Sequence, residues 1–149
     1  MNKLTKIGSV IIILVAIVAT CAFKPSEKKE PELPGIKFFH GSLKEAKAKA
    51  KKENKLIFID CYTTWCGPCK SMAKKTFTDK EVGEYYNKNF ICLKMDMESG
   101  EGPSMASNYS VEAYPTYLFL DSKGEVKHRD LGYIDATRFI EVGKTALSK

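Results

Sequence analysis

The hexapeptide Trp65-Cys66-Gly67-Pro68-Cys69-Lys70 constrains this chain more than any other feature. It follows Leu56 to Cys61, an apolar run of strand length, of the kind found in a central parallel strand covered on both faces. Beyond it, Cys69, Met72, Ala73, Thr76 and Phe77 recur at helical spacing. The motif therefore sits where a strand gives way to a helix. Two cysteines three apart at a helix start share one face and lie close enough for a disulfide. Cys66 sits over unpaired backbone N–H groups at the positive end of the helix dipole, which favours the reactive thiolate. Cys69, one turn deeper, is shielded and suited to resolve a mixed disulfide formed at Cys66. Gly67 permits the tight turn, and Pro68 loses no helix bond in the first turn.

A zinc site would need four ligands, usually a second cysteine pair or a histidine pair. The sequence has one CxxC, and its two histidines, His40 and His128, are isolated. The same isolation argues against a Cys-His hydrolase. Neither a metal nor a cofactor is expected.

The flanking pattern alternates strands and helices. Ile36 to Phe39 reads as a short first strand, and Ser42 with Glu45 as a capping box opening a helix that buries Leu43, Ala46 and Ala50. Thr78 and Glu81 read as a second capping box, with Val82, Tyr85 and Tyr86 turned inward. Phe90 to Met97 is a further strand, and Ser104 to Tyr109 a short helix. Thr116 to Leu120 and Glu125 to Leu131 flank Asp121-Ser122-Lys123-Gly124, a hairpin signal. Asp135 caps a last helix with Ala136, Phe139, Ile140, Gly143 and Leu147 on one face. The order β-α-β-α-β-α-β-β-α predicts an α/β fold, a three-layer α/β/α sandwich with a mixed central sheet.

The N-terminus has a different character. Lys3 and Lys6 precede an uncharged run from Ile7 to Phe23 with no polar face. That is long for a signal-peptide core and slightly short of the about 20 residues of a spanning helix. Residues 1–22 are therefore read as a signal peptide or membrane anchor, with the rest of the chain sent outward. Val18-Ala19-Thr20-Cys21 resembles a bacterial lipobox, making Cys21 a candidate for lipidation. Residues 23–35 hold Pro25, Pro31 and Pro34 among charges and read as an extended linker. Residues 36–149 form the folded domain. Once Lys3 and Lys6 are set aside, 22 basic and 18 acidic side chains remain. Their densest run, the five lysines from Lys44 to Lys52, reads as the solvated face of one helix rather than a nucleic-acid site.

From about Ile36 to Leu147 the chain resembles the thioredoxin family. Residues 65–70 match its active-site signature. Tyr114-Pro115-Thr116 stands where the family has its cis-proline, just before the hairpin, and Asp60 matches its buried aspartate. The helix Ser42–Asn54 and the stretch Thr76 to Val82 resemble the exported branch, which includes the C-terminal domain of the transmembrane disulfide-interchange reductase and related lipoproteins. The resemblance implies that Cys66 attacks, Cys69 resolves and Pro115 shapes the substrate groove. It further implies that the Tyr114 backbone pairs with the substrate and Trp65 forms the rim, beside Gly67 and Pro68. Two departures stand out. The place of the family's lysine partner to the aspartate holds Cys92, with Lys94 two residues on, and Tyr114 is bulky for its position.

The expected function is reduction of protein disulfides in the cell envelope by a membrane-tethered thiol–disulfide oxidoreductase fed by a membrane electron donor. A client-binding redox sensor without turnover and a dedicated reductant for cytochrome c maturation are the alternatives. Cys61 and Cys92, within apolar strands, are expected to be small buried hydrophobes. Asp60, near the end of an apolar strand, is expected to be buried behind the cysteine pair with a raised pKa and to take the Cys69 proton.

Overall fold

The computed structural model describes residues 34–149. The signal or anchor segment 1–22, with Cys21, and the linker up to Leu33 lie outside the described residues.

Among the described residues the first regular element is α1 (Leu43–Glu53). Its capping box is complete: Ser42 Oγ accepts from the Glu45 N–H, and the Glu45 carboxylate accepts from the Ser42 N–H. Strand β1 (Leu56–Tyr62) leads to α2 (Gly67–Ser71), which runs on as a π turn, Met72–Thr76. Then follow α3 (Lys80–Asn89), β2 (Phe90–Asp96), α4 (Gly102–Asn108), β3 (Thr116–Leu120), β4 (Val126–Leu131) and α5 (Ala136–Leu147).

The sheet order is β2-β1-β3-β4, with β1 parallel to β2 and antiparallel to β3, and β3 antiparallel to β4. β1 thus lies between two strands and is buried from Ile57 to Cys61, as its unbroken apolar pattern requires. One face of the sheet, through Ile57, Ile59, Leu93, Leu118 and Leu120, packs on α1 and on Met105 of α4. The other face carries Phe58, Cys92, Tyr117 and Phe119. It packs on α3, α5 and the π turn through Tyr86, Phe139, Met72 and Phe77. Two helical layers around a mixed sheet give the three-layer α/β/α sandwich that the element order implies.

Four local expectations are corrected. Ile36 to Phe39 makes a single parallel bridge, Phe39 to Leu93, and no strand. The cap of α3 is Asp79, whose carboxylate accepts from the Val82 N–H, while the Thr78 hydroxyl donates backwards to the Lys74 and Lys75 carbonyls. A carboxylate is the stronger acceptor at a positive helix end. The continuous helix expected from Cys66 to Phe77 changes pitch at Met72, where the Phe77 N–H bonds to the Met72 carbonyl. In α5 the buried face is Phe139, Val142, Gly143 and Ala146, and Leu147 points to solvent. The hairpin turn forms as its residues predict. Asp121 Oδ1 accepts from the N–H groups of Lys123, Gly124 and Glu125, and Gly124 takes the positive φ the turn needs.

Candidate active site

β1 delivers the chain to Tyr62, and the turn Thr63-Thr64-Trp65 closes with the Cys66 N–H on the Thr63 carbonyl. Cys66 is the N-cap of α2. Its backbone is extended, and its Sγ accepts from the Cys69 N–H at 3.1 Å. Pro68 occupies the first turn, where it costs no bond. Cys66 and Cys69 form a disulfide with their Cα atoms 5.3 Å apart. Each is 3% exposed in this oxidised form. Exposure therefore does not distinguish the two sulfurs; place does. Cys66 stands at the helix N-cap between exposed Trp65 and exposed Gly67, and Cys69 is one turn inside.

Asp60, within β1, is fully buried. Here the sequence reading is corrected: the residue across from Asp60 on β2 is Lys94, whereas Cys92 lies opposite Phe58. Lys94 Nζ is 2.8 Å from Asp60 Oδ2. Three rings surround the ammonium at cation–π distance, with Tyr62 at 4.3 Å, Phe77 at 5.5 Å and Phe38 at 5.7 Å. Asp60 Oδ1 and Thr63 Oγ1 are buried without a hydrogen-bond partner. Burial holds the Asp60 carboxyl above the usual carboxylate range, and Lys94 opposes that only in part. A cavity of about 190 Å³ is lined by Tyr62, Thr63, Thr64, Cys69, Lys70, Ala73 and Lys94. Cys69 and the Lys94 partner of Asp60 thus border one small space.

The rim is aromatic. Trp65 is 64% exposed, its indole N–H donates to the Glu98 carboxylate, and its ring stands edge-on to Tyr114 at 5.9 Å. The bulk of Tyr114 is therefore spent on the rim. The Tyr114–Pro115 bond is cis, and the Thr116 hydroxyl donates to the Ala113 carbonyl beneath it. β4 returns beside this turn. Leu131 lies opposite Thr116, and the Gly132 N–H donates to the Pro115 carbonyl at 2.9 Å. Leu131 and Tyr133 are consequently exposed, at 61% and 50%, next to the proline.

Sequence reasoning missed Glu98, Leu131, Tyr133 and the pairing of Lys94. Leu131 and Tyr133 had a signal: a hairpin that starts at Pro115 must bring its far end back to Pro115. Glu98 had none, because it reaches Trp65 from a separate loop.

Residues 39–122 match the family described as Thioredoxin-like. The thiol:disulfide interchange protein DsbD of Colwellia psychrerythraea is 30% identical over 102 residues, 65% of this chain. Thioredoxin-1 of Drosophila melanogaster is 38% identical over 68 residues, 46% of this chain. The chain spans 17% of the length of the first relative and 59% of the second. The solution structure of a candidate disulphide-isomerase from Bacteroides thetaiotaomicron superposes with a TM-score of 0.70 at 46% identity, covering 78% of this chain and 96% of that one. The oxidised C-terminal domain of Neisseria meningitidis DsbD gives 0.60 at 26% identity, covering 75% and 99%.

Proposed function

The chain belongs to the thioredoxin-like family, and from that premise we propose that it is a thiol–disulfide oxidoreductase that reduces protein disulfides in the cell envelope. The observation that carries this reading is the Cys66–Cys69 disulfide at the start of α2, beside exposed Trp65.

In the reduced protein the Cys66 thiolate attacks one sulfur of a substrate disulfide. A Cys66–substrate bond forms, the substrate S–S bond breaks, and the departing substrate sulfur takes up a proton. Asp60 then accepts the Cys69 proton, and the Cys69 thiolate attacks Cys66 Sγ. The second substrate sulfur leaves and is protonated. The substrate gains two electrons and two protons, and the protein returns to the disulfide form. Trp65, Gly67, Pro68, Tyr114 and Pro115 form the surface on which the substrate chain lies.

The direction follows from the Gly67-Pro68 dipeptide, which resembles that of the reducing thioredoxins. An exported reductant needs electrons, and a membrane donor supplies them. Residues 1–22 direct or anchor the chain, with Cys21 as the lipidation site, and residues 23–35 hold the domain off the membrane. Likeness to a DsbD protein supports this placement.

The full chain should accelerate reduction of insulin by a small dithiol, and a rate equal to that of the dithiol alone would remove the reading. Mass spectrometry of the membrane fraction tests the tether: a chain beginning at acylated Cys21 supports lipidation, an intact Met1 the anchor, and a soluble chain starting near Phe23 neither.

A further inference from the structure

The loop after β4 is tied down on both sides of Tyr133. Before it, Gly132 gives its N–H to the Pro115 carbonyl and accepts from the Tyr117 hydroxyl. After it, the chain turns inward at Ile134, which is 4% exposed. Both backbone polar groups of Ile134 are taken by side chains of one element. Its N–H donates to the Met72 thioether sulfur at 3.3 Å, and its carbonyl accepts from the Thr76 hydroxyl at 2.7 Å. Met72 and Thr76 are fully buried and form the two ends of the π turn that continues the cysteine helix. Buried backbone groups need partners, and secondary structure ordinarily supplies them. Here the helix carrying the redox pair supplies both, through a turn of a kind that recurs at functional sites.

We infer that Met72 and Thr76 are positioning residues for polypeptide substrates: they lock the Leu131–Tyr133 wall to the helix that bears Cys66 and Cys69. Wall and attacking sulfur then keep one geometry. A chain lying against Tyr133 is presented to Cys66 in a fixed place, and a disulfide too small to reach the wall gains nothing from it. This rests on the oxidoreductase reading above.

The test compares two substrates of the full chain, insulin and a small nitrobenzoate disulfide. Thr76→Val should raise KM for insulin about fivefold with kcat held within about twofold, the size of one interaction lost from binding alone. Kinetics with the small disulfide should not change, and Thr76→Ser should restore the insulin KM. Tyr133→Ala should raise the insulin KM similarly, and the double variant should be no worse than Tyr133→Ala alone, because the two changes remove one effect. Should Thr76→Val fail to fold, Met72→Leu keeps the volume and takes its place. Equal effects on both substrates, no effect on either, or additive effects would overturn the inference. A wild-type chain inactive on both substrates would instead remove the oxidoreductase reading, and this inference with it.

Discussion

Two pairs of cysteines lie within the domain, and they occupy opposite environments. Cys66 and Cys69 stand at the start of α2 among exposed residues and are joined. Cys61 and Cys92 lie inside β1 and β2, buried and free, on opposite faces of the sheet. Burial pushes the Cys61 thiol up to about 12, helped by the Asp60 carboxylate beside it, and burial pushes Cys92 up as well. The chemical group is the same in all four places. What differs is whether the thiolate finds helix N–H groups or an apolar wall, and that decides reactivity.

The strongest way to break this comparison is to exchange the serine test between the pairs. Cys66→Ser should reduce insulin turnover to the dithiol background, while a Cys61→Ala, Cys92→Ala double variant keeps it within about twofold. Loss of turnover in the second variant would make the buried thiols part of the chemistry. A binding module without catalysis would show the opposite pattern, with client capture surviving in Cys66→Ser.

Alkylation sharpens the contrast. At pH 8 a thiol with a pKa of about 12 is ionised to about one part in 10⁴. Reduced protein treated with limiting reagent should therefore be labelled at Cys66 first, with Cys61 and Cys92 untouched until the chain unfolds. Early labelling of Cys69 would reverse the assigned roles.

Asp60 links the two environments, since it adjoins Cys61 in β1 and its partner Lys94 lines one small cavity with Cys69. Asp60→Asn should slow resolution of a preformed Cys66 mixed disulfide by about 10²-fold and spare the initial attack. Stopped-flow decay of that intermediate checks it, and an unchanged rate would leave Asp60 a structural residue. The stability effect has the other sign. Because the folded carboxyl holds its proton more tightly than the unfolded one, the native acid is neutral in both states below pH 4 and costs stability as pH rises above that. Asp60→Asn should melt higher than wild type at pH 7, and the difference should vanish toward pH 3. Lys94 tolerates the loss of its partner, being 28% exposed and held by rings.

The smallest effect belongs to the buried thiols as packing. Cys92→Ala removes a buried sulfur that donates to the Tyr86 carbonyl and should lower unfolding free energy by about 1 kcal/mol in a denaturant titration.

The sequence was sufficient where the signal and its cause lie within a few residues. The caps at Ser42 and Asp135, the Asp121–Gly124 turn, the buried run of β1 and the placement of Cys66 at a helix start are all local. From them followed the three-layer sandwich and the position of the redox pair. Competition between neighbours was already harder, and Asp79 displaced Thr78 as a cap because the better acceptor wins.

Only the tertiary structure decided the rest. β1 and β2 are parallel, joined through two helices and a π turn, so no tight turn fixes their register. Counting along the chain chose Cys92 as the partner of Asp60, and the sheet chose Lys94. A shift of one residue would have placed a side chain of the opposite face there. The Trp65–Glu98 contact and the grip of Met72 and Thr76 on Ile134 join residues from separate elements. Such pairs leave no mark in local sequence, because each partner satisfies its own helix or loop wherever the other lies. Their meeting is fixed by how the layers pack, and packing is a property of the whole chain.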